Sequence, residues 1–130
     1  MISIEQIKEA ISNVKSGADF PKFIQELIKL GVSRYGTFVK SRLSVFFGHN
    51  NDMITLEPKV ENLYVADNTD AKQFKQDLKA HQEGNTDYIT FCTDCAKSGI
   101  DRWEVDIVKM TCTYYDKADN IILVEAIPTM

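Results

Sequence analysis

No stretch of this sequence approaches the ~20 consecutive apolar residues that a helix needs to cross a bilayer. Cationic residues are also in short supply. Fifteen Lys and Arg against 19 Asp and Glu give a net charge of −4, and the pI is about 5.1. No basic cluster stands out, which argues against a nucleic-acid backbone as a partner. Cysteine is scarce and odd in number, 3 in all. That fits a reducing compartment and not a disulfide framework. The opening MISIEQIKEA is amphipathic and charged, with no apolar signal core or cleavage site. The expected location is therefore cytoplasmic, with no membrane partner. Chemical motifs are missing too: no Gly-rich phosphate loop, no Ser nucleophile elbow, no HExxH and no EF-hand pattern. No catalytic residue is assigned.

What remains is the composition of a soluble globular protein, 44% hydrophobic and 26% charged. Its 130 residues make one domain, residues 1–130. A domain of that size buries enough surface to need no staple.

The pattern then gives the elements. Ser3 and Gln6 form a capping box for a helix with Ile4, Ile7, Ile11 and Val14 on one face. Ser16-Gly17 stops it. Asp19 and Pro21 open a second helix, with Phe20, Phe23, Ile24, Leu27 and Ile28 as its apolar stripe and Gly31 as its stop. Strands follow at Val32 to Val39, Arg42 to Phe47 and Met53 to Leu56, with GHNND as turn chemistry. The stretch Glu57 to Thr69 is irregular, with an edge strand near Leu63-Tyr64-Val65. A third helix opens at Asp70 and carries Phe74, Leu78 and His81 on one face, ending at Gly84-Asn85. A fourth, capped by Thr86 or Asp87, carries Tyr88, Phe91, Cys92 and Cys95 and stops at Gly99. Three more strands follow, Arg102 to Val108, Thr111 to Tyr115 and Ile121 to Ile127.

The second half repeats the first. At the offset that lays Gly31 on Gly99, Phe23 meets Phe91, Arg34 meets Arg102, Tyr35 meets Trp103, and Phe46-Phe47 meets Tyr114-Tyr115. With one residue removed between the helices, Gln6 meets Gln73 and Gly17 meets Gly84. The expected fold is α+β: two ααβββ repeats, about 3–57 and 70–127, with helices packed on an antiparallel sheet.

The stretch FCTDC holds Cys92 and Cys95 two residues apart. At the repeat offset they match Ile24 and Leu27, which are core aliphatics, so they read as small buried hydrophobes. A redox pair would sit at a helix N-terminus, where the macrodipole lowers a thiol pKa. Here the pair lies inside the helix, beside Asp94. A metal centre is the alternative: His81, Cys92, Cys95 and Cys112 make a Cys₃His donor set suited to tetrahedral zinc. Glu104 and Asp106 alternate with Trp103 and Val105. They form either an acid–base pair or the solvated side of a half-buried strand, and the second is favoured. His49 sits in a polar turn.

Adjacent aromatics send one ring to each side of a strand. In the last strand Ile121 and Leu123 point one way, and Ile122 and Val124 the other. Both sides of the sheet are then partly apolar, and helices cover only one. The other needs either the 57–69 segment or a second subunit, so a homodimer is expected.

The segments IEQIKEAISNVKSGADFPKFIQELIKLGV and LKAHQEGNTDYITFCTDCAKSGIDRWEVDIVKMTCTYYDKADNIILVE resemble a bacterial family of small single-domain proteins of unknown function. Some members carry the label "phage envelope protein". The resemblance implies a phage or prophage association, and no catalytic residues or cofactor. Three functions follow: a non-enzymatic binding or interaction module, a metal- or thiol-dependent protein using the Cys₃His set, and a small-molecule-binding protein or small enzyme. The last would use a site between the repeats, with Glu104, Asp106 or His49 at its rim.

Overall fold

Ser3 accepts a hydrogen bond from the Gln6 N–H at 3.4 Å, and α1 (Ile4–Ser12) begins there. A reciprocal capping box closes one element later. Ser16 and Asp19 cap each other across a short 3₁₀ turn, Gly17–Asp19, that leads into α2 (Phe20–Lys29) with Pro21 in its first turn. The computed structural model describes residues 2–128. Met1, Thr129 and Met130, which the single-domain expectation also spans, lie outside the described residues.

After α2 come β1 (Val32–Phe38), β2 (Ser44–Gly48) and β3 (Met53–Leu56). Then α3 (Ala71–Gln82) and α4 (Tyr88–Lys97) precede β4 (Arg102–Asp106), β5 (Thr111–Tyr115) and β6 (Ile121–Ala126). Asp70 and Asp87 cap α3 and α4 by accepting from the Gln73 and Thr90 N–H groups. The strands form one antiparallel sheet in the order β3-β2-β1-β4-β5-β6. The order helix, helix, three strands thus occurs twice. Backbone geometry follows it: the left-handed residues Gly31, Arg42 and Asn51 lie at the same offset from Gly99, Met110 and Asp119.

All four helices lie on one side of the sheet. Ile7, Ile24, Leu27, Phe74 and Cys95 are fully buried there against Tyr35, Phe46, Trp103 and Tyr114. Phe23 meets Tyr35 edge-on with centroids 6.1 Å apart, and Phe74 meets Tyr114 at 4.9 Å. The adjacent aromatics divide as expected: Phe46 and Tyr114 are buried, while Phe47 and Tyr115 face outward, half-buried.

Several expectations are corrected. Strand β2 starts at Ser44 because Arg42 takes a left-handed turn conformation (φ 60°). Strand β4 ends at Asp106, whose carboxylate accepts the Lys109 N–H at 2.9 Å and so folds the chain into a turn. No strand forms at 63–65. That segment is tied instead by single bonds, Leu63 N–H to the Lys40 carbonyl and Ala66 N–H to the Ala96 carbonyl, with Val65 buried between them. In α1 the buried residues are Ile7 and Ala10, whereas Ile11 is exposed. In β6 a register shift at Tyr114/Tyr115 resets the alternation. Ile121 pairs with outward Tyr115, and Leu123 pairs with inward Tyr114.

Candidate functional site

Each strand turns alternate side chains to the side away from the helices, and the pairing registers assemble them into rows. One row runs Met53, Phe47, Arg34, Asp106, Thr111, Ala126. The next runs Thr55, Val45, Gly36, Glu104, Thr113, Val124, and a third runs Phe38, Arg102, Tyr115, Ile121. Charge sits in the middle strands and apolar groups on the flanks. Among the described residues no element covers this face: Met53 is 59%, Val124 52% and Ile121 60% exposed. The 57–69 segment does not provide the cover. Its bonds beyond itself go to Lys40, Arg42, Ala96 and Lys117.

Two arginines shape the face. The Arg34 guanidinium lies over the Phe47 ring, 3.7 Å from its centroid, and that of Arg102 lies over Tyr115 at 4.0 Å. Each pair joins neighbouring strands, and such contacts contribute about 0.5–1 kcal/mol when exposed. Arg102 also binds Asp119 at 2.6 Å and approaches Glu104 at 3.6 Å. The sequence aligned Arg34 with Arg102 and Phe47 with Tyr115, yet the contacts escaped it. Strand register decides which ring an arginine reaches, and composition does not encode register.

The edge strand β6 carries Glu125 on the helix side, level with Cys112. Gln82 of α3 donates to its carboxylate at 2.9 Å, and burial raises its pKa. An inward charge of this kind protects a sheet edge from unwanted pairing.

Of the four proposed zinc donors, Cys92 and Cys95 are fully buried on α4, and Cys112 is buried on β5. Ile24 and Leu27, their counterparts on α2, are equally buried. All three cysteines are free thiols. Burial pushes Cys92 up to about 11 and Cys112 up to about 12. Cys95 rises well above the ordinary range, first through burial, then through Cys92 and Asp94. These are the opposite of the activated thiolates that redox and nucleophilic chemistry use. His81 stands apart. Its ring stacks on Phe91 at 4.3 Å, and its Nδ1 lies 3.1 Å from both the Thr86 carbonyl and hydroxyl oxygens. Burial lowers its pKa, against an opposing hydrogen bond to the Thr86 carbonyl. Among the described residues, no group of three or more His, Cys, Asp and Glu side chains is arranged to hold a metal ion.

The remaining candidates are solvated. His49 is exposed in the β2–β3 turn, and Glu104 is exposed on the open face. One carboxylate oxygen of Asp106 accepts the Lys109 N–H. These three do not gather around a cavity. A groove of about 180 Å³ runs instead between α1 and α2, lined by Gln6, Glu9, Asn13 and Glu26. Ligand pockets typically enclose about 300–1,000 Å³ and are mostly apolar. No helix among the described residues is long and apolar enough to cross a membrane.

The family described as "Protein of unknown function (DUF1398)" matches residues 8–126, and the chain belongs to that family. No curated protein matches it.

Proposed function

We propose that the protein is a non-enzymatic interaction module that works through the open face of its sheet, and that its partner there is a second copy of itself. One observation carries this reading. A six-stranded sheet with four helices on one side leaves its other side uncovered by the described residues, and that side keeps exposed Met53, Ile121 and Val124 at its flanks and Phe38 at the end of β1. A sheet face meant for water alternates cleanly to polar residues, and an uncovered apolar surface marks a contact site. The thiols lie in the core with raised pKa values, and the carboxylates of the face border no cavity. Reaction chemistry therefore has little support beside it.

The test is sedimentation velocity from low to high micromolar concentration. Wild type should shift from monomer to dimer as concentration rises. Phe47→Glu should remain monomeric with an unchanged circular dichroism spectrum. A wild-type chain that stays monomeric throughout, or a Phe47→Glu chain that dimerises as before, would overturn the reading.

A further inference from the structure

We infer that the two copies meet about a twofold axis that runs parallel to the strands, between β1 and β4, so that Arg34 of each copy faces Asp106 of the other. This rests on the interaction-module reading above and adds to it an orientation and a set of contacts.

In the aligned class of face-to-face packing, two sheets keep their strand directions within about 30° of each other, and we take that class here. Only two directions of an in-plane twofold axis through the sheet centre satisfy that: along the strands or across them. An axis along the strands places each β1 residue opposite the β4 residue of its own row. Arg34 then faces the partner's Asp106, and Arg102 faces the partner's Phe38. Glu104 lies over the partner's Gly36, where no side chain competes for the space. These are an ion pair, a guanidinium over a ring, and a long side chain over a gap, each occurring twice. An axis across the strands through the middle row also makes an ion pair, Asp106 with the partner's Arg102, but Arg102 is already held by Asp119, and Glu104 then lies opposite its own copy. Like charges at an interface centre disfavour association.

The charge balance agrees. Arg34 and Arg102 nearly balance Glu104, Asp106 and the Asp119 that reaches Arg102, leaving −1 on this face of a chain that carries −4. The face is a nearly neutral patch on an acidic protein, which suits a second acidic copy. A basic partner would be drawn to the remainder of the surface. Arg34 is also available: it is exposed, and the ion pairs among the described residues use Arg102 and Lys117 instead. Six strands about 4.8 Å apart and about five residues long span roughly 24 by 17 Å. That footprint, about 400 Å² per copy, belongs to the weak and transient class of contacts, so association is concentration-dependent.

Charge exchange tests the orientation. Arg34→Asp and Asp106→Arg should each weaken self-association at least about tenfold, because each homodimer then opposes like charges twice. An equimolar mixture of the two variants should recover dimer, since every altered side chain meets its opposite in the mixed pair. Asp106→Asn keeps an acceptor for the Lys109 N–H and loses only the charge, so it should weaken association without disturbing the turn. Circular dichroism and thermal melts verify that each variant is folded. If wild type dimerises and Phe47→Glu abolishes it, yet the single charge variants associate normally or the mixture fails to recover, the orientation is wrong while the face remains. If wild type is monomeric at every concentration, both fall.

Discussion

The three thiols should be silent toward an aqueous disulfide reagent for as long as the chain is folded. Two effects combine. Cys92 and Cys95 are 0% and Cys112 only 3% exposed, so a reagent the size of an aromatic disulfide has no approach. Burial also holds the proton on: Cys92 is pushed up to about 11 and Cys112 up to about 12. At pH ~8 a free thiol with a pKa of about 8.5 is roughly one-quarter thiolate, whereas one at about 11 is roughly one-thousandth, a loss of about 250-fold in nucleophile before any steric exclusion. Labelling must then pass through unfolding. Measured in increasing urea at pH ~8, all 3 thiols should appear in one step that coincides with loss of the far-ultraviolet dichroism. Any thiol that reacts in the native protein at the rate of a small peptide would refute the burial argument. Thiols freed only by a chelator, with about one zinc per chain by plasma mass spectrometry, would restore the His81, Cys92, Cys95, Cys112 centre.

Gly17→Ala should cost about 1–3 kcal/mol in urea unfolding, because a Cβ there would strike the carbonyl and ring of His81; an unchanged midpoint would contradict this packing. Stability should fall in alkali. Folded thiols are raised above unfolded ones, so their contribution is complete below about 8.5 and is lost as pH rises toward about 11 for Cys92 and about 12 for Cys112. Urea midpoints that stay flat from neutral pH to about 10.5 would contradict that sign. His81 acts at the other end. Its lowered folded pKa contributes stability above about 6.5 that is lost as pH falls through the folded value. His81→Gln should therefore flatten the acid side of the stability profile, and an unaltered acid limb would rule that out.

The sequence made the elements legible because helix caps and stop glycines are local signals. Ser3, Asp70, Gly31 and Gly99 act where they were read, and the alternating strand Arg102 to Asp106 faces the way its pattern requires. The left-handed residues Arg42/Met110 and Asn51/Asp119, and the two arginine–aromatic pairs, recur at the offset read from the sequence. What escaped was set by partners distant in sequence. Nothing within Ile121 to Ala126 announces the register shift at Tyr114/Tyr115. Nothing within Leu63 to Val65 announces that its N–H groups will meet single carbonyls of Lys40 and Ala96 rather than a ladder. The open face was foreseen as partly apolar, but its rows exist only once β1 and β4 are in register.

The strand order carries a kinetic consequence. Four of the five pairings, β1–β2, β2–β3, β4–β5 and β5–β6, join strands that are consecutive in the chain and can zip as hairpins. Only β1–β4 requires closure of a long loop, from Tyr35 to Val105. Loop closure grows only slowly more costly with length, but it must be met before the contacts beyond it form. Folding should accordingly be limited by the docking of two preassembled halves, and a nick in the irregular chain after Pro58 should leave fragments that find each other again.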